Sequence, residues 1–206
     1  IENKLFESTV EVPRTDIEDD QVGIYRPIMK QAGVSAAELP DDLVWPLLAK
    51  GKATLCYDGQ NFFDTDHVWY KNVDGTGTTK NMSNLTTGTD ADAPTWYVID
   101  DTNVLKPLVY QERTKPEFET KFDPSKSDKV FMEDVYLYGI RARGNAGFGL
   151  WQLAHMVEKT PLTKEALAKV VQAMKELKAD GGYELKVRPT LLVVPPALEE
   201  AARVIL

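Results

Sequence analysis

A chain of 206 residues, 43% hydrophobic and 27% charged, has the balance of an ordinary soluble protein and enough length for one large or two small domains. Its net charge of −8, from 24 Lys and Arg against 32 Asp and Glu, argues against tight nucleic-acid binding, which needs a basic footprint to displace counterions from phosphate. One cysteine excludes an internal disulfide and every multi-cysteine metal motif, and no run approaches the roughly 18 apolar residues of a membrane span.

Leu5 to Val12 alternates apolar and polar residues and predicts a strand already under way near residue 1, which is Ile rather than Met. At the other end Leu198, Ala201, Ala202 and Ile205 fall on one helical face with no Gly or Pro after them, so both ends read as cut. No secretory leader is read in the opening residues, and a reducing cytosol is the expected place of synthesis. Thr15-Asp16-Ile17-Glu18 has the capping-box form and predicts a helix start, with Asp19 and Asp20 adding favourable charge near its N-terminus. From Val22 to Lys50, apolar residues at spacings of three and four (Ile24, Ile28, Ala32, Ala36, Leu39, Leu43, Leu47) predict a long helix stopped by Gly51. Pro40 lacks an amide donor and crowds the preceding turn, so a kink or break is expected there.

Residues 52 to 95 are rich in Gly, Thr, Asn and Asp and read as an irregular region, functional or mobile, the more mobile half being Asp74 to Pro94. Within it Tyr57, Phe62, Phe63 and Trp69 each carry roughly 150–250 Å² of surface that seeks burial. Their polar neighbours are turn formers that bond their own backbone. A loop pinned by its rings is the expectation.

Trp96 to Ile99 and Leu108 to Phe122 read as strands, the second at an edge or bulge because of Pro116. Residues 130–143 and 148–157 predict a hairpin across Gly144-Asn145-Ala146-Gly147, with Tyr136, Tyr138 and Ile140 on one face. Leu162 to Leu177 carries an apolar stripe opened by Thr163 and closed by Gly181-Gly182, a helix. Leu191 to Val194 is an unalternated apolar run, as in a strand covered on both faces, and Pro196 suits the first position of a last helix.

The segment from Cys56 to His67 is where chemistry would be sought, because it gathers the one cysteine, a histidine and the carboxylates Asp58, Asp64 and Asp66. Cys56 and His67 could form a thiol–imidazole dyad oriented by Asn61 or Asp64, but no known nucleophile signature surrounds Cys56, and a lone cysteine packs as a small apolar group. Asp58, Asp64, Asp66 and His67 could surround calcium or magnesium. The twelve-residue calcium loop is absent, however, since position 12 from Asp64 is Gly75. Asp74 to Lys80 lacks the phosphate-loop order, and Gly144 to Gly149 lacks dinucleotide spacing, so both read as turns. Arg113, Arg141 and Arg143 stand on predicted strands. They could pair within the chain with Glu112, Glu117 or Glu133, or between subunits. No catalytic, cofactor-binding or metal residue is assigned, and no cofactor is expected.

Asp58 to Asp64 (DGQNFFD), His67 and Asn72 to Gly77 (NVDGTG) closely resemble the major head subunits of Mu-like phages and prophages. So do Asp16 to Tyr25 (DIEDDQVGIY), Lys106 to Pro116 (KPLVYQERTKP) and Tyr138 to Gln152 (YGIRARGNAGFGLWQ). The resemblance implies an α+β fold of the Hong Kong 97 type, truncated at both ends. On this reading 1–51 is a peripheral strand and spine helix, 52–95 the aromatic-pinned loop region, 96–158 antiparallel peripheral strands, and 159–206 axial helix-strand-helix elements. The implied function is structural rather than enzymatic: a capsid protein, made in the host cytoplasm, that self-assembles into the icosahedral shell of a virion. The implied partners are copies of itself as hexamers and pentamers, scaffold, portal and decoration proteins, and packaged double-stranded DNA bound without sequence specificity. No membrane is involved. A tail or baseplate protein, and a small metal- or nucleotide-dependent enzyme using the 56–67 loop, stand as alternatives.

Overall fold

A computed structural model describes residues 1–20 and 23–206. They form two compact units, Ile1–Leu47 with Tyr110–Gly147 and Leu48–Val109 with Phe148–Leu206. These units cut across the four consecutive segments expected from sequence, because strand pairing joins stretches far apart in the chain.

In the first unit the alternating start is β1 (Lys4–Pro13), antiparallel to β7 (Val135–Phe148) from Lys4↔Gly144 to Pro13↔Val135. β6 (Leu108–Lys121) lies on the other side of β7 in the order β1-β7-β6. Pro116 therefore stands on an edge strand, where a missing donor is tolerated. A short helix, α1 (Arg14–Glu18), follows directly, but the capping box does not form: Pro13 is the N-cap, without a side-chain bond, and Thr15 lies inside the turn. The cause is the strand register. The ladder holds Pro13 opposite Val135, and the Arg14 amide bonds the Asp134 carbonyl at 2.9 Å, so the chain turns before Thr15 can cap it. Asp19 and Asp20 consequently sit at the C-terminal end of α1, and Asp20 Oδ1 accepts from the amides of Gly23 and Ile24 at 2.7 and 3.1 Å.

The long helix is α2 (Tyr25–Ala49), 25 residues assigned without interruption through Pro40 and Pro46. At 1.5 Å per residue it spans about 37 Å. Val22, where the apolar spacing starts the helix, lies outside the described residues. A groove lined by Ala32, Ala36 and Leu39 of α2 and by Phe6, Ile140 and Ala142 marks where the helix faces the sheet. Among the described residues, the first unit buries only Val12, Val130 and Ala142 as apolar side chains. Ile24, Ile28, Val34, Trp45, Phe118 and Phe122 stay exposed, as do Phe131 and Met132 on α3 (Asp128–Glu133).

The second unit holds the larger core. β4 (Leu85–Thr87) pairs parallel with β8 (Ala154–Glu158), and β5 (Trp96–Ile99) runs antiparallel between β8 and β9 (Leu191–Val193). β2 (His67–Tyr70) and β3 (Thr79–Met82) form a separate hairpin. Residues 52–95 thus supply three short strands instead of an irregular region, since strands of three or four residues show too little period to be read. β9 is an edge strand with Leu191 exposed, not a strand covered on both faces. α4 (Lys164–Lys175) is capped as expected, Thr163 Oγ1 accepting from the Ala166 amide at 3.1 Å, and it buries Val170 and Met174. α5 (Glu199–Ile205) follows a short turn at Pro196–Leu198 and buries Ala202. Phe62, Phe63, Trp96, Trp151 and Met174 are the largest apolar members of this core.

The expected hairpin at Gly144–Gly147 does not exist. β7 runs straight through these glycines, while β8 belongs to the other sheet. None of Gly144, Gly147 and Gly149 has positive φ; they serve close approach instead of a turn. A Cβ on Gly144 would lie 2.8 Å from the Gln111 carbonyl oxygen, and one on Gly149 would overlap the Lys106 carbonyl oxygen. Gly149→Ala is expected to destabilise by about 1–3 kcal/mol through overpacking. Gly33→Ala on α2, where a Cβ meets nothing within 4 Å, should stabilise by about 0.5–1 kcal/mol. Thermal unfolding of the two variants, moving in opposite directions, checks both.

Candidate functional site

The Cys56–His67 segment is a tight loop in which backbone bonds do most of the folding. The Cys56 amide bonds the Gln60 carbonyl at 2.7 Å, the Gly59 amide returns to the Cys56 carbonyl at 3.2 Å, and Asp58 Oδ1 accepts from the Gln60 amide at 3.1 Å. Gly59 has φ of 84°, a conformation that favours glycine. Two of the four expected rings pin the loop. Phe62 stacks on Phe148 at 4.0 Å and meets Phe63 edge-on at 4.8 Å, and both are buried. Tyr57 is 63% exposed and Trp69 only half-buried. The third buried ring is His67, lying 3.8 Å over Trp151 at 8°, its Nδ1 donating to Asp58 Oδ2 at 2.7 Å.

Asn84, which sequence reasoning passed over, organises this region. It is fully buried. Its Nδ2 donates to the carbonyls of Phe62 and Trp151 at 2.7 and 3.2 Å, and its Oδ1 accepts from the Asp64 amide at 3.0 Å. Its own amide bonds the Asp64 carbonyl and its carbonyl receives the Met156 amide. Its side chain thereby ties the loop to the turn before β8, and its backbone carbonyl reaches β8 itself. Asn84 is thus an anchor within Asp74–Pro94 that is not a ring. Asp100 plays a similar part: its carboxylate accepts from the Thr102 amide and hydroxyl, the Arg188 amide and Asn103 Nδ2. Burial alone would raise this carboxyl, but the bonds from Thr102 and Arg188, with the Arg188 charge, hold it below its ordinary value.

The geometry does not activate a nucleophile. The Cys56 thiol points to the Gly149 carbonyl at 3.6 Å, and burial raises its pKa, opposite to what a reactive thiolate needs. His67 is committed to Asp58 and Trp151. Asp64 and Asp66 interact with each other: the hydrogen bond to Asp64 raises Asp66, while bonds from Thr65 and Asp66 hold Asp64 low despite burial. Among the described residues, no three His, Cys, Asp or Glu side chains come together to hold a metal. Asp74–Lys80 runs from the β2–β3 turn into β3, with Gly75 and Gly77 at positive φ and Asp74 Oδ1 accepting from the Thr76 amide and hydroxyl. Among the described residues, Arg113, Arg141 and Arg143 enter no ion pair, with Glu112, Glu117, Glu133 or any other carboxylate. The residue opposite Arg141 in the ladder is Glu7.

The second histidine supplies a pH dependence. His155 is 2% exposed, its Nε2 lies 2.8 Å from Thr86 Oγ1, and burial lowers its pKa from 6.5 to about 4. The unfolded chain therefore takes up a proton near pH 6.5 that the folded chain refuses. Stability should be full above about pH 6.5 and fall as pH drops toward about 4, by on the order of 3 kcal/mol. Urea midpoints measured across that window should decline steeply for the native chain and less for His155→Gln.

Comparison with known proteins shows the family. The family model described as Mu-like prophage major head subunit gpT matches residues 1–206. The chain belongs to this family. It is 48% identical over 206 residues to the Mu-like prophage FluMu major head subunit of Haemophilus influenzae, covering 98% of this chain and 65% of that protein. It is 46% identical over 208 residues to the major capsid protein of Escherichia phage Mu, covering 100% of this chain and 67% of that one. The chain thus spans about two thirds of the length of these head subunits. Its fold is similar to a chain of the procapsid of bacteriophage JBD30, with a TM-score of 0.83 and 53% identity over 98% of this chain and 66% of that one. A chain of the JBD30 capsid decorated with minor capsid protein trimers gives a TM-score of 0.77 at 37% identity, over 98% and 65%. Family membership and this α+β likeness to capsid chains agree with the resemblance in the loop and strand motifs.

Proposed function

We propose that this chain is the shell-forming part of a phage major head protein, copies of which assemble as hexamers and pentamers into an icosahedral shell around packaged double-stranded DNA. The observation that carries this reading is the match of the head-subunit family over residues 1–206. The apolar surface of the first unit supports it, because a face as bare as that of α2 marks an interaction site on a soluble protein. Many copies of one modest contact close into a stable shell by symmetry and multivalency.

In the Hong Kong 97-type arrangement, the first unit corresponds to the peripheral domain, with α2 as spine helix and β1-β7-β6 as its sheet. The second unit, with β4-β8-β5-β9 and α4, corresponds to the axial domain. The net charge of −8 suits a wall that contains DNA without gripping it. Scaffold, portal and decoration proteins complete the partner set; a JBD30 capsid carries minor capsid protein trimers. The place of action is the virion, after synthesis in the host cytoplasm. Electron microscopy of the intact head protein, expressed alone and with its scaffold, tests the proposal. Closed shells are the expected result, whereas tubes, rings or persistent monomers would overturn it.

A further inference from the structure

The second unit carries a cleft of about 360 Å³ beside the loop, walled by Tyr57 and Trp69 and lined by Asp58, Gln152, Lys178 and Asp180. Its buried unsatisfied group is an acceptor. Gln152 donates through Nε2 to the Tyr57 hydroxyl at 2.6 Å, but its Oε1 is buried with no partner. Asp180 Oδ1 accepts from the Tyr70 amide at 2.8 Å, and its other oxygen has no donor among the described residues. Its carboxylates are Asp58 and Asp180, and its cations are Lys178 in the lining and Lys80 on the Trp69 wall. Trp69 already holds the Lys80 ammonium 5.8 Å from its ring centre, so the wall is of a kind that attracts cations. A buried orphan acceptor costs free energy until a donor reaches it. The fitting ligand is planar, cationic and rich in N–H groups, which describes a guanidinium better than an ammonium.

Among the described residues, three strand arginines present such groups outside any ion pair. Arg141 faces Glu7 across the ladder and shares a recess with Glu117 and Glu119, while Arg143 is half-buried on the central strand. Arg113 is exposed on the edge strand β6 and makes no ion pair among the described residues. We propose that the cleft of one copy receives the Arg113 side chain of a second copy, its guanidinium stacked between Tyr57 and Trp69 and donating to Gln152 Oε1 and Asp180. This contact rests on the assembly reading given above, and it names one pair of surfaces that assembly brings together.

The test uses the ¹⁵N-labelled chain and a synthetic 14-residue peptide of sequence Leu108–Lys121. The Trp69 indole and Gln152 side-chain amide resonances are followed during titration. The Trp96 indole, bonded to the Thr160 carbonyl at 3.0 Å, reports that the fold is intact. Saturable shifts at Trp69 and Gln152 are expected. Binding should be at least tenfold weaker for the Arg113→Gln peptide, and at least tenfold weaker when Gln152→Leu or Asp180→Asn chains meet the native peptide. Equal binding of both peptides, shifts centred elsewhere, or no binding at millimolar peptide would overturn the contact. The peptide result decides this inference even if the intact protein forms no shells, an outcome that would overturn only the shell reading. Shells without peptide binding would overturn only the contact.

Discussion

Phe62→Ala is expected to cost about 3–5 kcal/mol, near the top of the range for large-to-small core substitutions. The ring is fully buried, stacked on Phe148 of β7 at 4.0 Å and edge-on to Phe63 at 4.8 Å. Phe63→Ala should behave similarly, since that ring is buried too and sits against Gly51, which has no side chain to fill the space it would leave. Tyr57→Ala is the informative contrast. That ring is mostly exposed and held by a single bond to Gln152, so its loss should cost no more than about 1 kcal/mol. Urea unfolding of the three variants checks the ordering; equal losses would mean that the loop is pinned some other way.

Asn84→Leu should be comparably severe for a different reason. Leucine fills the volume but leaves the Asp64 amide and the carbonyls of Phe62 and Trp151 unpaired in the interior. At about 1–3 kcal/mol for each stranded group, a loss of at least about 3 kcal/mol is expected. Asn84→Asp sharpens the test. At neutral pH its carboxylate would face two carbonyl oxygens, and burial plus that repulsion must raise its pKa. Relative to the native chain the variant should therefore gain stability as pH falls and the carboxyl becomes a donor, because the loss from buried His155 is common to both proteins. Parallel pH profiles for the two proteins would refute this account of Asn84.

What could be read from the sequence depended on how local its cause was. The strand at Leu5–Val12, the capped helix after Thr163 and the long helix before Gly51 are written in periods of two and of three to four, and those periods are local. The glycines at 144–149 were misread because a glycine required for close approach looks the same in sequence as one required for a turn. Only the position of Gln111 and Lys106 tells them apart. The capping box at Thr15 failed because a ladder to residues more than a hundred positions away fixes where the strand ends. In the loop, the rings signalled burial but not which of them would be buried. Asn84 gave no signal, since its side-chain partners stand 20, 22 and 67 residues away.

The outer edge of β6 has a consequence for behaviour at high concentration. Among the described residues no strand pairs with this edge, and an unpaired strand of 14 residues is a template on which further chains can add without limit. β6 carries Glu112, Arg113, Lys115, Pro116, Glu117, Glu119 and Lys121 along this edge. A proline that offers no hydrogen and charges of both signs make fibre growth unfavourable there, while leaving individual side chains free for a contact of fixed geometry. The edge thus acts as a gatekeeper of colloidal fate, favouring finite particles over open-ended aggregates.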